Sequence, residues 1–327
     1  MIKFLIFLSV LFSNAYINVS REVTSQVAAR SYIAIDANTN NVIEGKNINL
    51  KRSVASISKI MTAIIAIENK DIREKMVVPP EVKKAYGSSV YLAQGDILSL
   101  EDLLYGLMLR SGNDAAITIA IGVAGTLDNF VNMMNKKAKE LKMADTFFSN
   151  PSGLDEDDEG NISTSFDMAI LMSYAIKNNI FLKIIGTNTY TCDSHGVWQN
   201  KNKILRLYKK SIGGKTGFTG KARRTLVTVA QEDETKLIVV TLDCGGDFKA
   251  HIDLYERLFK IKKTIKLMNE GKSQLNEFEI NCKSDIFVTL NKDLIKQSKI
   301  LYKINNNELR IELVNGGQID YIGQCSV

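Results

Sequence analysis

Residues Gly213–Gly220 read GGKTGFTG; behind them come TLVTVA (Thr225–Ala230) and KLIVVTL (Lys236–Leu242), parted by the polar QEDET of Gln231–Thr235. Two β-rich runs joined by a short polar stretch predict a hairpin. The Lys215-Thr216-Gly217 triplet then lies on the strand leading into it, a placement that suits a sheet edge whose backbone pairs with an extended peptide. On such an edge Lys215 and the Thr216 hydroxyl offer a charge and a hydrogen bond to a carboxylate, and Gly217 lets a ligand approach the backbone closely. A glycine-rich turn is also a reasonable reading of the triplet taken alone.

Upstream, apolar positions alternate on both sides of Asp36–Asn41 (DANTNN), which predicts two strands and a turn between Ser31 and Glu44. The spacing of Ile57, Ile60, Met61, Ile64 and Ile65 predicts a helix over Ser56–Ile67, with these residues on one side. Helices are also predicted over Leu100–Leu109, Ala115–Val123, Phe130–Leu141, Asp167–Lys177 and His251–Lys260. Lys262–Gln274 is polar and linker-like. Phe278–Val327 alternates apolar and polar residues in short runs, the pattern of a small all-β segment.

Ser56-Ile57-Ser58-Lys59 is the only S-x-x-K in the chain. Three residues along a helix bring two side chains onto one face, one turn apart. A serine hydroxyl needs a neighbouring base, and a lysine amine serves if burial and nearby positive charge depress its pKa. A helix N-terminus adds backbone donors for a developing oxyanion. By itself the motif describes an N-capping serine and a surface lysine just as readily. Ser111-Gly112-Asn113 interrupts two apolar helical runs, where Ser111 can relay a proton and Asn113 can bind an amide or orient the lysine. A plain helix–helix turn is the simpler reading of that triplet alone.

The net charge of +6 is mild and scattered, so nucleic-acid binding is unsupported, while attraction to an anionic polymer or membrane surface stays open. Lys3, the apolar run Phe4–Phe12 and the small residues around Ser13–Ala15 predict a cleaved signal peptide over residues 1–15, and thus export. The run is too short for a membrane-spanning helix, which needs roughly twenty residues. Of the four cysteines, Cys282 and Cys325 share the C-terminal segment and can pair. Cys192 and His195 have metal-like spacing, but His251 is the only other histidine; no metal site or cofactor is expected.

Each triplet occurs once, in the order S-x-x-K, S-x-N, K-T-G, and the set resembles the acyl-transfer signature of penicillin-binding proteins and class A β-lactamases. The stretches Gly87–Leu92, Gly95-Asp96, Leu103–Ala116, Phe148–Leu154 and Asn200–Leu205 extend the likeness. They resemble the D-alanyl-D-alanine carboxypeptidases among the low-molecular-mass penicillin-binding proteins. The resemblance implies an α/β (α+β) fold of the β-lactamase/transpeptidase type, with an antiparallel sheet flanked by helices and a helical lobe. That domain is expected over residues 24–262, with a small β-rich domain over 275–327.

The same resemblance implies roles. Ser56 forms the acyl ester, Lys59 is the general base, and Ser111 and Asn113 lie across a cleft. Lys215 and Thr216, beside Gly217, hold the terminal carboxylate; the N–H groups of Ser56 and Phe218 form the oxyanion hole. The implied substrate is a peptidoglycan stem peptide ending in D-Ala-D-Ala, and β-lactams are implied inhibitors, outside the cytoplasm. Departures are Val54 where proline is common, which suggests a less rigid helix entry, Ser58 for threonine, and Arg223-Arg224 for Gly-Arg, which adds positive charge beside the carboxylate end. His251 stands near another polar position of the family. Membrane association is left open, because the C-terminus carries no amphipathic apolar stripe. Two rivals share the motifs: a β-lactamase, whose extra carboxylate would come from Asp155–Glu159, and a catalytically silent wall-binding protein.

Overall fold

The computed structural model describes residues 27–155, 160–315 and 317–327. The expected signal peptide and Glu156–Glu159 lie outside the described residues. The described chain divides into two compact units, one of residues 27–231 and 237–255, the other of residues 232–236 and 256–327.

The first unit is built on strands β1 (Ala29–Asp36), β2 (Val42–Lys46), β3 (Ser211–Thr219), β4 (Arg223–Glu232) and β5 (Thr235–Cys244). Their order is β2–β1–β5–β4–β3, so the strand carrying Lys215 is an edge, as its flanking glycines and hairpin predict. β1 runs antiparallel to β2 and β5, and β3 to β4. Alternation sends Ile33, Ile35, Val227, Val229, Ile238, Val240 and Leu242 into one apolar core. Helices α1 (Lys59–Asn69), α2 (Leu100–Tyr105), α3 (Asn113–Ala124), α4 (Leu127–Glu140), α5 (Ser165–Ala175) and α6 (Asn179–Ile185) supply the rest of this unit's helical layer. Helix α7 (Asp247–Ile261) begins in this unit, and its His251 sits between Thr228 and Thr241 of the sheet.

Two predicted helices differ at their ends, and both differences fall beside candidate residues. Residues Ala55–Ser58 form a 3₁₀ turn, and the α-helix starts only at Lys59. Lys59 to Ala66 is buried without a break, so α1 is a core helix enclosed on all sides rather than one with a single apolar face. The helix predicted over Leu100–Leu109 leaves α-geometry at Gly106 and widens into a π-turn, Gly106–Arg110, that ends on Ser111 in the left-handed region, φ 64°.

In the second unit β6 (Lys262–Met268) pairs with β9 (Ile286–Asn291). Strands β7 (Gly271–Leu275), β8 (Phe278–Cys282), β10 (Lys299–Asn305), β11 (Glu308–Asn315) and β12 (Gln318–Ser326) form a sheet in the order β7–β8–β12–β11–β10. The linker expected over Lys262–Gln274 is therefore corrected to strand. The burial of β6 has no clean period of two: only Thr264 and Met268 are buried, and exposed Lys266 falls between them beside a shift in register against β9. Cys282 and Cys325 form a disulfide that ties β8 to β12. Among the described residues no single helix is long and apolar enough to cross a membrane.

Candidate active site

The turn before α1 is held from several directions. The Val54 N–H donates to the Asn161 carbonyl at 3.2 Å, and the Val54 carbonyl accepts from Thr225 Oγ1 at 3.0 Å. Where the missing proline led to an expected looser entry, these two bonds tie the entry to Asn161 and to Thr225 of the sheet. Ala55 then adopts φ 51°, a sparsely populated conformation for a residue with a side chain. That kink delivers half-buried Ser56 to the head of α1. Gly153, φ 80°, packs against it: a Cβ there would lie 2.0 Å from the Ala55 carbonyl oxygen, so only glycine fits.

Lys59 is fully buried, and three oxygens surround its Nζ. It lies 2.7 Å from Asn113 Oδ1, 2.5 Å from the Ser152 carbonyl and 3.1 Å from Ser56 Oγ. Asn113 Nδ2 donates to the Tyr86 carbonyl at 2.6 Å, which fixes Oδ1 on the lysine side. Ser152 is set by Asn150 Oδ1, which accepts from its N–H and hydroxyl and from Gly153 N–H. Burial, and after it the charges of Lys215 and Lys201, hold the Lys59 pKa well below the ordinary lysine range; Asp114 pulls weakly the other way.

On edge strand β3, buried Lys215 donates to Ser111 Oγ at 3.0 Å and to the Thr216 carbonyl at 2.7 Å. Burial, with Lys201 second, lowers its pKa to about 7. The left-handed conformation at Ser111 is what aims that hydroxyl at Lys215. A Cβ on Gly217 would stand 2.9 Å from the Ser56 nitrogen and 3.1 Å from the Ile57 nitrogen, so β3 abuts the Ser56 turn directly. The Phe218 ring is exposed, while its backbone continues the same strand edge.

All three motifs thus converge: Ser56 with Lys59, Lys59 with Asn113, and Ser111 with Lys215, while Gly217 abuts the Ser56 turn. Other expected features lie elsewhere. Arg224 adds no free charge at the carboxylate end, because its Nη2 pairs with buried Asp247 Oδ1 at 2.7 Å. His195 meets Ser194 Oγ and Asp96 Oδ2, and Cys192 is buried. Four contributors fall outside the three triplets. The Ser152 and Tyr86 carbonyls act through backbone, which side-chain identity does not report. Asp114 accepts from Ser89 Oγ at 2.5 Å and from the Val90 and Leu92 amides, pinning the loop whose Ser88 carbonyl receives the Asn113 N–H. Lys201 reaches Ser88 Oγ at 3.0 Å; it lies in a family-like stretch, yet nothing local distinguishes it from a surface lysine.

The geometry coincides with sequence relationships. Residues 18–246 match the family model for D-alanyl-D-alanine carboxypeptidases. The chain belongs to this family. It is 34% identical over 231 residues to the D-alanyl-D-alanine carboxypeptidase DacF of Bacillus subtilis, covering 66% of this chain and 58% of that relative, under two thirds of its length. It is 30% identical over 319 residues to the D-alanyl-D-alanine carboxypeptidase DacA of Escherichia coli, covering 88% and 77% respectively. Penicillin binding protein 5 from Haemophilus influenzae superposes with a TM-score of 0.81 at 22% identity, over 95% of this chain and 98% of that one, a likeness of fold. Membership makes the protein a serine-type peptidase of the D-alanyl-D-alanine carboxypeptidase family.

Proposed function

We propose that Ser56 is the nucleophile of a carboxypeptidase that removes terminal D-alanine from peptidoglycan stem peptides, with Lys59 as its base. The observation that carries this reading is the ring of acceptors around Lys59 Nζ. A neutral amine has two N–H bonds and one lone pair. Asn113 Oδ1 and the Ser152 carbonyl take the two N–H bonds at the shorter distances, which leaves the lone pair for the Ser56 hydroxyl proton.

In the acylation step Ser56 Oγ attacks the carbonyl carbon of the penultimate D-alanine and passes its proton to Lys59. The oxyanion is held by the Ser56 and Phe218 amides. Collapse breaks the C–N bond; Ser111, backed by Lys215, hands a proton to the departing amine, and D-alanine leaves. Water then attacks the ester, releasing the shortened peptide and restoring Ser56. Lys215 and Thr216 hold the substrate's terminal carboxylate, and β3 supplies an open backbone edge for the extended chain. A β-lactam follows the same attack, with the ring amide opening to leave an acyl-enzyme. Action outside the cytoplasm is supported by the Cys282–Cys325 disulfide, a bond that persists in oxidising compartments.

The test is incubation with a wall-type peptide ending in D-Ala-D-Ala, followed by assay of free D-alanine, alongside labelling with a fluorescent penicillin. Wild type is expected to release D-alanine and to take the label, and Ser56→Ala to do neither. Labelling that survives in Ser56→Ala removes Ser56 from the role.

A further inference from the structure

One carboxylate at the site is left unused by that chemistry. Asp155 Oδ1 accepts from Ser53 Oγ at 2.7 Å, and Asp155 Oδ2 accepts from Thr219 Oγ1. Ser53 ends the short strand Arg52–Ser53, three residues before Ser56. Thr219 directly follows Phe218 at the end of β3, and its Oγ1 also accepts from the Ala222 N–H at 3.0 Å, which fixes the turn beyond the strand. Asp155 itself follows the loop whose Ser152 carbonyl receives Lys59, and its own carbonyl accepts from the Tyr86 hydroxyl at 3.2 Å. A single side chain therefore spans the two segments whose amides are assigned to the oxyanion, and its backbone belongs to the loop that orients the base.

From this juxtaposition we infer that Asp155 is a positioning residue: its carboxylate sets the separation of the Ser56 turn from the Phe218 end of β3, and so the width of the oxyanion hole. The inference rests on the assignment of Ser56 and Phe218 above. Oxyanion donors act only when held within a few tenths of an ångström of the developing charge, so a slackened span costs rate in the transition state rather than binding. The carboxylate touches no reacting atom. Both its oxygens are engaged by hydroxyl donors, which sets it apart from a base waiting for water.

Acylation by a fluorescent penicillin, followed in time, and release of the bound acyl group separate the roles. Asp155→Ala loses both arms and is expected to acylate ~10- to 100-fold more slowly. Asp155→Asn keeps them, its carbonyl accepting from one hydroxyl and its NH₂ donating to the other, and is expected within about threefold of wild type. Thr219→Val cuts one arm only, giving an intermediate rate in a folded protein even if Asp155→Ala does not fold. An Asp155→Ala or Thr219→Val protein that acylates at the wild-type rate overturns the inference, as does an Asp155→Asn protein as slow as the alanine variant. Normal acylation in Asp155→Asn with stalled release makes the carboxylate a base and overturns it too. Ser56→Ala, run in parallel, reports separately on the parent reading: only its continued labelling refutes that.

Discussion

Two buried, pKa-depressed centres occupy opposite faces of the same sheet, and only one of them is built for chemistry. Lys215 stands directly across from Val227, on the face shared with Lys59 and the helical layer. His251 lies against the other face, between Thr228 Oγ1 at 2.7 Å and Thr241 Oγ1 at 2.9 Å, and burial alone pushes its pKa down to about 3. Both ring nitrogens are saturated by hydroxyls, and Thr228 also meets the Tyr255 hydroxyl. Desolvation is common to the two centres. The lysine centre adds neighbouring like charge, a half-buried hydroxyl within reach and an open strand edge. A depressed pKa marks a site only when such a reactive partner faces it.

Substitutions that should break this contrast differ widely in size. Lys59→Met is expected to lower the acylation rate with a labelled penicillin by roughly 10³-fold or more, since Ser56 loses its proposed base; a near-wild-type rate would place the base elsewhere. Lys215→Gln should reduce kcat/KM on a D-Ala-D-Ala peptide by ~10²-fold, through weaker carboxylate binding and a lost proton path. In wild type the KM should rise above about pH 7, as Lys215 loses its proton and with it the charge that holds the carboxylate.

His251→Leu should leave acylation unchanged while lowering stability by about 2 kcal/mol, because two buried hydroxyls lose a partner. The pH dependence gives the sign. His251 is neutral when folded, with a pKa near 3 against 6.5 unfolded, so its contribution is complete above pH 6.5 and is lost as pH falls toward 3. The slope is ~1.4 kcal/mol per pH unit, readable as a fall in Tm that the variant lacks. The smallest effect belongs to Lys201→Met. Removing a positive neighbour of Lys59, with Lys215 and Asp114 left in place, raises the amine's pKa and moves the acid limb of the acylation profile to higher pH. The rate at neutral pH should fall a few-fold with no change in Tm.

Much of the site was readable because its chemistry sits in side chains at fixed local offsets. Ser56 and Lys59 are one turn apart, and the placement of Lys215-Thr216-Gly217 before a β-rich run suits an edge strand, although the triplet alone also reads as a glycine-rich turn. The positions of Ser152 and Tyr86 were not readable, since the atoms that matter there are carbonyls brought in by chain segments far from Lys59 in sequence. The left-handed residues Ala55 and Ser111 were equally hidden, because nothing about alanine or serine announces positive φ. The linker reading failed for a different reason: β6 buries only Thr264 and Met268, four residues apart with exposed Lys266 between them, so its sequence carries no period of two.

The open edge of β3 also bears on how the molecule behaves in a crowd of its own copies. An edge strand invites another strand, and on the proposed reading this one takes a ligand where other proteins cover the edge. Its defence lies at the ends. Lys209 precedes the strand, Arg223 follows it, and the regular ladder shifts register beside Ser211. A lone extended peptide fits between those charges, whereas the edge of another copy would bring the same positive charges up against them. On the proposed reading, the arrangement that leaves the edge to the substrate also works against pairing between copies.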